Sequence, residues 1–95
     1  MMEEGIIVFY VTTANGSVPI SGASVKITVE GNEKTVLTDE NGKTPPLNFC
    51  FFDRRPHLAV IAEISFENLK KAILDDIKLY RSTTIVRIVN LDQKR

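Results

Sequence analysis

Along most of the chain apolar residues recur at every second position or in short unbroken runs, the periodicity of strands rather than helices. Ile6 to Thr13 is rich in β-branched and aromatic residues and too short for an ordinary helix, so it reads as a strand with two apolar faces. Ala14 to Ser17 has turn composition, and Pro19 and Gly22 interrupt any regular ladder through Val18 to Gly22. Ala23, Val25, Ile27 and Val29 then alternate with Ser24, Lys26, Thr28 and Glu30. That is the clearest strand signal, one face dry and one wet. Gly31-Asn32-Glu33 closes a hairpin into Lys34 to Thr38, which ends at the polar turn Thr38-Asp39-Glu40-Asn41-Gly42-Lys43-Thr44. In that turn Asp39 and Asn41 are suited to bond their own backbone and Gly42 to take positive φ; Pro45 and Pro46 then remove amide donors.

The second half repeats the pattern with one difficult stretch. Leu47 to Phe52 is a strand whose Leu47, Phe49 and Phe51 share a face, while Cys50 and Phe52 make the other face apolar too. Asp53 to His57 is a charged loop, and Leu58 to Ile64 a buried strand carrying Glu63. From Ser65 to Arg81 the residues Phe66, Leu69, Ile73, Ile77 and Tyr80 fall at helical spacings of three and four, with Ser65 acceptable as an N-cap. Against a continuous helix stand Asp75-Asp76 and the alternation that follows them. The expectation is therefore a short helix near 66–71 followed by a strand from Ala72 to Tyr80. Thr83 to Leu91 is the last strand, with Ile85, Arg87, Val89 and Leu91 on one side and Val86 and Ile88 on the other. About seven short strands at these intervals predict an all-β sandwich.

Composition narrows the function classes. A chain of 95 residues holds one core and so one domain, 1–95, with the packed part about 6–91. Twelve basic and twelve acidic residues cancel, which removes the electrostatic case for nucleic acid or an anionic membrane surface. Arg54-Arg55 and Lys94-Arg95 are too small to form a phosphate-binding stripe. Cys50 is the single cysteine, so no intramolecular disulfide or thiolate metal cluster forms. The acidic start, Met1 to Gly5, is unlike a signal peptide and no run reaches membrane-span length. The expected location is cytoplasmic, or the cell envelope or spore if the chain belongs to a larger protein.

Val18-Pro19-Ile20-Ser21-Gly22-Ala23-Ser24-Val25 followed by Thr38-Asp39-Glu40-Asn41-Gly42-Lys43-Thr44 resembles the pattern of carboxypeptidase regulatory-like domains, which share the transthyretin-like or prealbumin-like sandwich. Asp76 to Tyr80, Thr83-Thr84 and Val89-Asn90-Leu91 are similar to that family's last two strands. The Thr-Pro-Pro variant looks like domains of bacterial cell-envelope and spore-associated proteins. The resemblance implies a seven-stranded Greek-key prealbumin-like sandwich and supports strand over helix for Ala72 to Tyr80. Ser65-Phe66 departs from the family's usual glycine–aromatic pair, which is where the short helix is expected.

Each chemical reading of these residues is outweighed by a structural one. Tyr80-Arg81-Ser82-Thr83 resembles the Tyr-Arg-Gly-Ser ending of hydroxyisourate hydrolases, but it lacks the glycine and His57, the single histidine, lies in a loop. A self-formed Lys–Asn cross-link of the wall-adhesin kind would draw on Glu63 and Asn90, yet residues 6 to 13 contain no lysine. Asp39, Glu40 and Asn41 are too few for calcium, which takes six or more oxygens, and Asp75-Asp76 fare no better. Cys50 beside His57 would need a third orienting group to act as a nucleophilic pair. No cofactor, metal or catalytic residue is expected.

What remains is surface. Strands apolar on both faces point to something that covers them, and Phe49, Phe51, Phe52, Ile7 and Phe9 are the candidate interface with another copy or another domain. The alternative is that a small sandwich curls enough to bury them itself. The expectation is a non-enzymatic module that binds a protein or a cell-wall glycan through loops or a sheet face. A small hydroxyisourate-type hydrolase and an accessory or propeptide-like domain of a wall-lytic enzyme are the alternatives.

Overall fold

The computed structural model describes residues 3–14, 16–51 and 56–92. They form eight strands: β1 (Glu3–Thr13), β2 (Val18–Pro19), β3 (Ser24–Val29), β4 (Asn32–Leu37), β5 (Leu47–Phe51), β6 (His57–Ser65), β7 (Ala72–Tyr80) and β8 (Thr84–Asn90). The eighth is β2, two residues that pair with Thr12 and Thr13 where the sequence predicts only an irregular stretch. The other seven correspond to the strands expected from alternation. Phe52, Asn15, the Asp53–Arg55 part of the charged loop and Lys94-Arg95 lie outside the described residues.

The strands form two sheets packed as a sandwich. One has the order β4-β3-β6-β7, all antiparallel neighbours. The other is built on β1, whose two edges are used differently. Along one edge β8 runs parallel to it from Ile6↔Thr84 to Thr12↔Asn90. Along the opposite edge three segments follow one another: β5 opposite residues 3–7, the end of the polar turn opposite Phe9 and Val11, and β2 opposite Thr12 and Thr13. Alternation along β1 turns Ile7, Phe9 and Val11 inward, where they meet Val25, Ile27, Val60, Ala62, Ile64, Ile77 and Leu79 from the other sheet in one buried cluster. Each large apolar side chain fully removed from water there contributes about 1.5–3 kcal/mol.

The polar turn ties the two sheets together. The Thr38 hydroxyl donates to the Ile20 carbonyl at 2.6 Å and accepts from the Ala23 amide at 2.9 Å, holding the approach to β3. Six residues later the Thr44 hydroxyl accepts from the Phe9 amide at 3.0 Å while the Thr44 amide donates to the Phe9 carbonyl, which holds β1. Between them the Asp39 carboxylate accepts from the amides of Asn41 and Lys43 at 2.9 and 3.0 Å. The stretches Val18–Val25 and Thr38–Thr44, far apart in the chain, are therefore one hydrogen-bonded junction.

The short helix expected near 66–71 does not form: the described residues contain no helix. Glu67 has φ of 40°, Leu69 donates to the Phe66 carbonyl at 2.9 Å and Lys70 donates to the Asp92 carbonyl at 2.8 Å, so the segment is a turn tied to the end of the chain. Six residues are too few to carry the cost of helix nucleation when tertiary partners compete for the same amides. The helical spacing further on has a second cause. Val60 pairs with Ile77 and Ala62 with Leu74, so Ile61 alone faces Asp75 and Asp76 together. This β-bulge shifts the alternation by one residue, so Leu74 packs against the core cluster and Ile77 and Leu79 lie buried in it. A three-residue step inside a strand then mimics a helix.

Candidate interaction face

The two outer faces of the sandwich are built differently. On the β4-β3-β6-β7 sheet, side chains of alternating sign run across the strands. Lys26 pairs with Glu33 at 3.0 Å, stands opposite Glu63 in register, and Glu63 pairs with Lys71 at 2.9 Å. The Glu33 hydrogen bond and charge raise the Lys26 pKa. The Lys71 hydrogen bond and charge hold the Glu63 carboxyl below its usual range. Leu37, Ile61 and Ile73 are exposed here too; Ile73 stands opposite Glu63 and Ile61 beside Asp75 and Asp76, while Leu37 lies on the edge strand opposite Ser24. It is a solvated face.

The outer face of the β1 sheet carries Ile6, Val8 and Tyr10 of β1 beside Thr84, Val86 and Ile88 of β8. Val8 stands next to Val86 and Tyr10 next to Ile88. Val86 is 55% exposed and Ile88 75% exposed. The charges near this face sit at its margins: Glu4, which accepts from the Asn48 side chain at 2.8 Å, and Lys43, which bridges to Tyr10 on the side away from β8. Among the described residues the outer edge of β8 pairs with no other strand. An apolar face continuous with an open edge is the feature that distinguishes this sheet.

The residues singled out from sequence lie elsewhere. Ile7, Phe9 and Phe51 are buried in the sandwich's own core and Phe49 packs against it, because alternation turns them inward and the second sheet covers them. Of the two readings of these side chains, burial by the sandwich itself is the one they take. Phe52 lies outside the described residues. On the β1 sheet the most exposed apolar side chains are on β8 instead, and the sequence signal for them was the second apolar face of that strand, Val86 and Ile88.

The proposed chemical constellations are only partly brought together. His57 stacks obliquely on Tyr80 at 5.6 Å between ring centroids, at one end of the β6–β7 pair. Arg81 places its guanidinium 5.1 Å above the Phe51 ring, a cation–π contact, and the Ser82 amide donates to the Glu4 carbonyl at 2.8 Å. Glu63 and Asn90 stand in different sheets: Glu63 is paired with Lys71, while the Asn90 amide group accepts from the Gly16 amide at 3.1 Å and donates to Asp92 at 3.2 Å. Cys50 is half-buried on β5 of the β1 sheet, opposite Glu4. Among the described residues no three His, Cys, Asp or Glu side chains are grouped so as to hold a metal ion. No helix there is long and apolar enough to cross a membrane.

No family model and no curated protein matches the sequence. Solved structures do. The TIE protein of Bacillus anthracis aligns with a TM-score of 0.73 at 14% identity, over 96% of this chain and 17% of that one. A catechol 1,2 dioxygenase mutant of Acinetobacter radioresistens aligns with a TM-score of 0.63 at 18% identity, over 99% of this chain and 53% of that one. A type II cohesin–X-dockerin complex from Acetivibrio cellulolyticus aligns with a TM-score of 0.56 at 11% identity, over 92% of this chain and 56% of the matched one. The shared property is an all-β, sandwich-like fold. In each case the chain spans well under two thirds of the protein it matches.

Proposed function

We propose that the chain is a non-enzymatic interaction module that binds another protein through the outer face of β8 and its edge away from β1. The observation that carries this reading is the contrast between the two outer faces, one laced with ion pairs and the other apolar up to an edge that, among the described residues, pairs with no other strand. Water is a good solvent for the first and a poor one for the second. The cohesin–dockerin neighbour is part of a protein–protein complex, which supports an interaction role by analogy of fold. The module is of the carboxypeptidase regulatory-like, prealbumin-like kind in this reading. Its support is that the two stretches carrying that resemblance, Val18–Val25 and Thr38–Thr44, meet in one bonded junction.

Site-specific photo-cross-linking tests the proposal. A photo-reactive residue is placed at Ile88 in one protein and, as a control of the same residue type, at the exposed Ile61 on the charged face in another. Incubated with an extract of the native cells, the Ile88 protein is expected to form discrete cross-linked species that the Ile61 protein does not. Equal cross-linking from both faces, or none from Ile88, overturns the reading.

A further inference from the structure

The edge of β8 has a defined hydrogen-bonding register. At the two ends of the parallel β1–β8 ladder the Ile6 amide donates to the Thr83 carbonyl at 2.9 Å and the Leu91 amide donates to the Thr12 carbonyl at 2.7 Å. Peptide groups alternate between the two edges of a strand, so the odd-numbered residues of β8 bond to β1. The amides and carbonyls of Val86 and Ile88 therefore face the open edge. These are also the residues whose side chains stand exposed on the apolar outer face. Between them Arg87 is exposed, its side chain directed to the opposite face, and no ion pair joins it to any described residue.

From this juxtaposition of peptide groups at Val86 and Ile88 that face away from β1, two exposed apolar side chains and one guanidinium with no ion pair to a described residue, we propose that β8 accepts an extended segment of another protein as a ninth strand. The segment carries an acidic residue opposite Arg87 and apolar residues on either side of it. The inference rests on the interaction-module reading and specifies its partner's chemistry. Main-chain bonds to Val86 and Ile88 supply sequence-independent affinity, and the side chains select. Residues flanking the acid point to the outer face and cover Val86 and Ile88, while the acid itself points to the face of Arg87. Charge argues against a second copy as the occupant. Antiparallel pairing of β8 with itself about its centre sets Arg87 directly against Arg87, an unfavourable like-charge pair, and registers that separate them shorten the ladder.

Three synthetic peptides, Ser-Thr-Val-Glu-Val-Thr-Ser and its counterparts with central Gln or Lys, test this by fluorescence anisotropy with the whole chain. The Glu peptide is expected to bind about three- to tenfold more tightly than the Lys peptide, the range for a solvent-exposed ion pair against its reversal. R87E is expected to invert that order and R87Q to abolish it. On binding, hydrogen exchange at the Val86 and Ile88 amides slows, while the Ile85 and Arg87 amides, already bonded to β1, change little. Equal affinity for the three peptides, no effect of R87E and R87Q, or a stable dimer by light scattering that R87E leaves intact overturns the proposal. If every peptide fails while Ile88 still cross-links to a partner, strand addition falls and the module reading stands. If both fail, both fall.

Discussion

Thr38 and Thr44 are buried polar side chains at the two ends of one turn; Thr38 satisfies backbone groups of the segment leading into β3, and Thr44 those of Phe9 on β1. A buried amide deprived of its acceptor costs about 1–3 kcal/mol. Thr44→Val removes the acceptor of the Phe9 amide at nearly constant volume, so urea denaturation is expected to show a loss of that size, and Thr44→Ser should restore most of it. An unchanged midpoint for the valine variant would mean that the bond contributes nothing net. Gly42 sets the other condition at this turn. It has φ of 77°, and a Cβ there would lie 2.5 Å from the Val11 carbonyl oxygen. Gly16 has φ of 88°, but among the described residues beyond its chain neighbours no atom comes within 4 Å of the same added carbon. Gly16→Ala therefore meets only the left-handed backbone penalty, about 1 kcal/mol, while Gly42→Ala adds the clash and is expected to cost at least about 2 kcal/mol. Equal losses in the two variants would show that the close approach is relieved by a small shift.

At the scale of elements, β7 shows how a strand can resemble a helix in sequence. Its bulge at Asp75 and Asp76 inserts one residue, and the two carboxylates stand exposed at the irregularity. The ion pairs on the outer face of the same sheet give stability a definite pH dependence. Glu63 has a depressed pKa, so its contribution is present above the ordinary carboxylate pKa of about 4.3 and is lost as pH falls through the lower folded value. Lys26 has a raised pKa, so its contribution is present below the ordinary lysine value of about 10.4 and fades as pH rises through the folded one. Comparing Tm of the wild type and E63Q between pH 3 and pH 7, the wild type is expected to be the more stable at neutral pH and the gap to close at the acid end. High salt should narrow it as well, since the pair is exposed to screening. A gap that persists at pH 3 would assign the role of Glu63 to packing rather than charge.

At the scale of the whole molecule, the sandwich sorts its two outer faces, and that sorting is where sequence and structure part. Alternation made seven of the eight strands legible, because a strand's side-chain period of two is a local property that needs no partner. The same alternation marked Val86 and Ile88 as a second apolar face on the last strand. It could not say which apolar faces end up covered. Ile7, Phe9 and Phe51 look as available as Val86 and Ile88 until the second sheet is laid over them. The two-residue β2 was illegible for a similar reason: Val18 and Pro19 become strand only because β1 offers them an edge. The helical spacing from Phe66 to Tyr80 was read through a turn and a bulge, both set by partners far away in the chain. What the sequence determined by itself was the class of fold, the positions of most strands and the turn between Thr38 and Thr44, since these rest on local backbone preference and side-chain pattern. What only the tertiary structure decided was which edge stays open and which apolar face meets water, because burial belongs to the pairing of sheets and not to any residue alone.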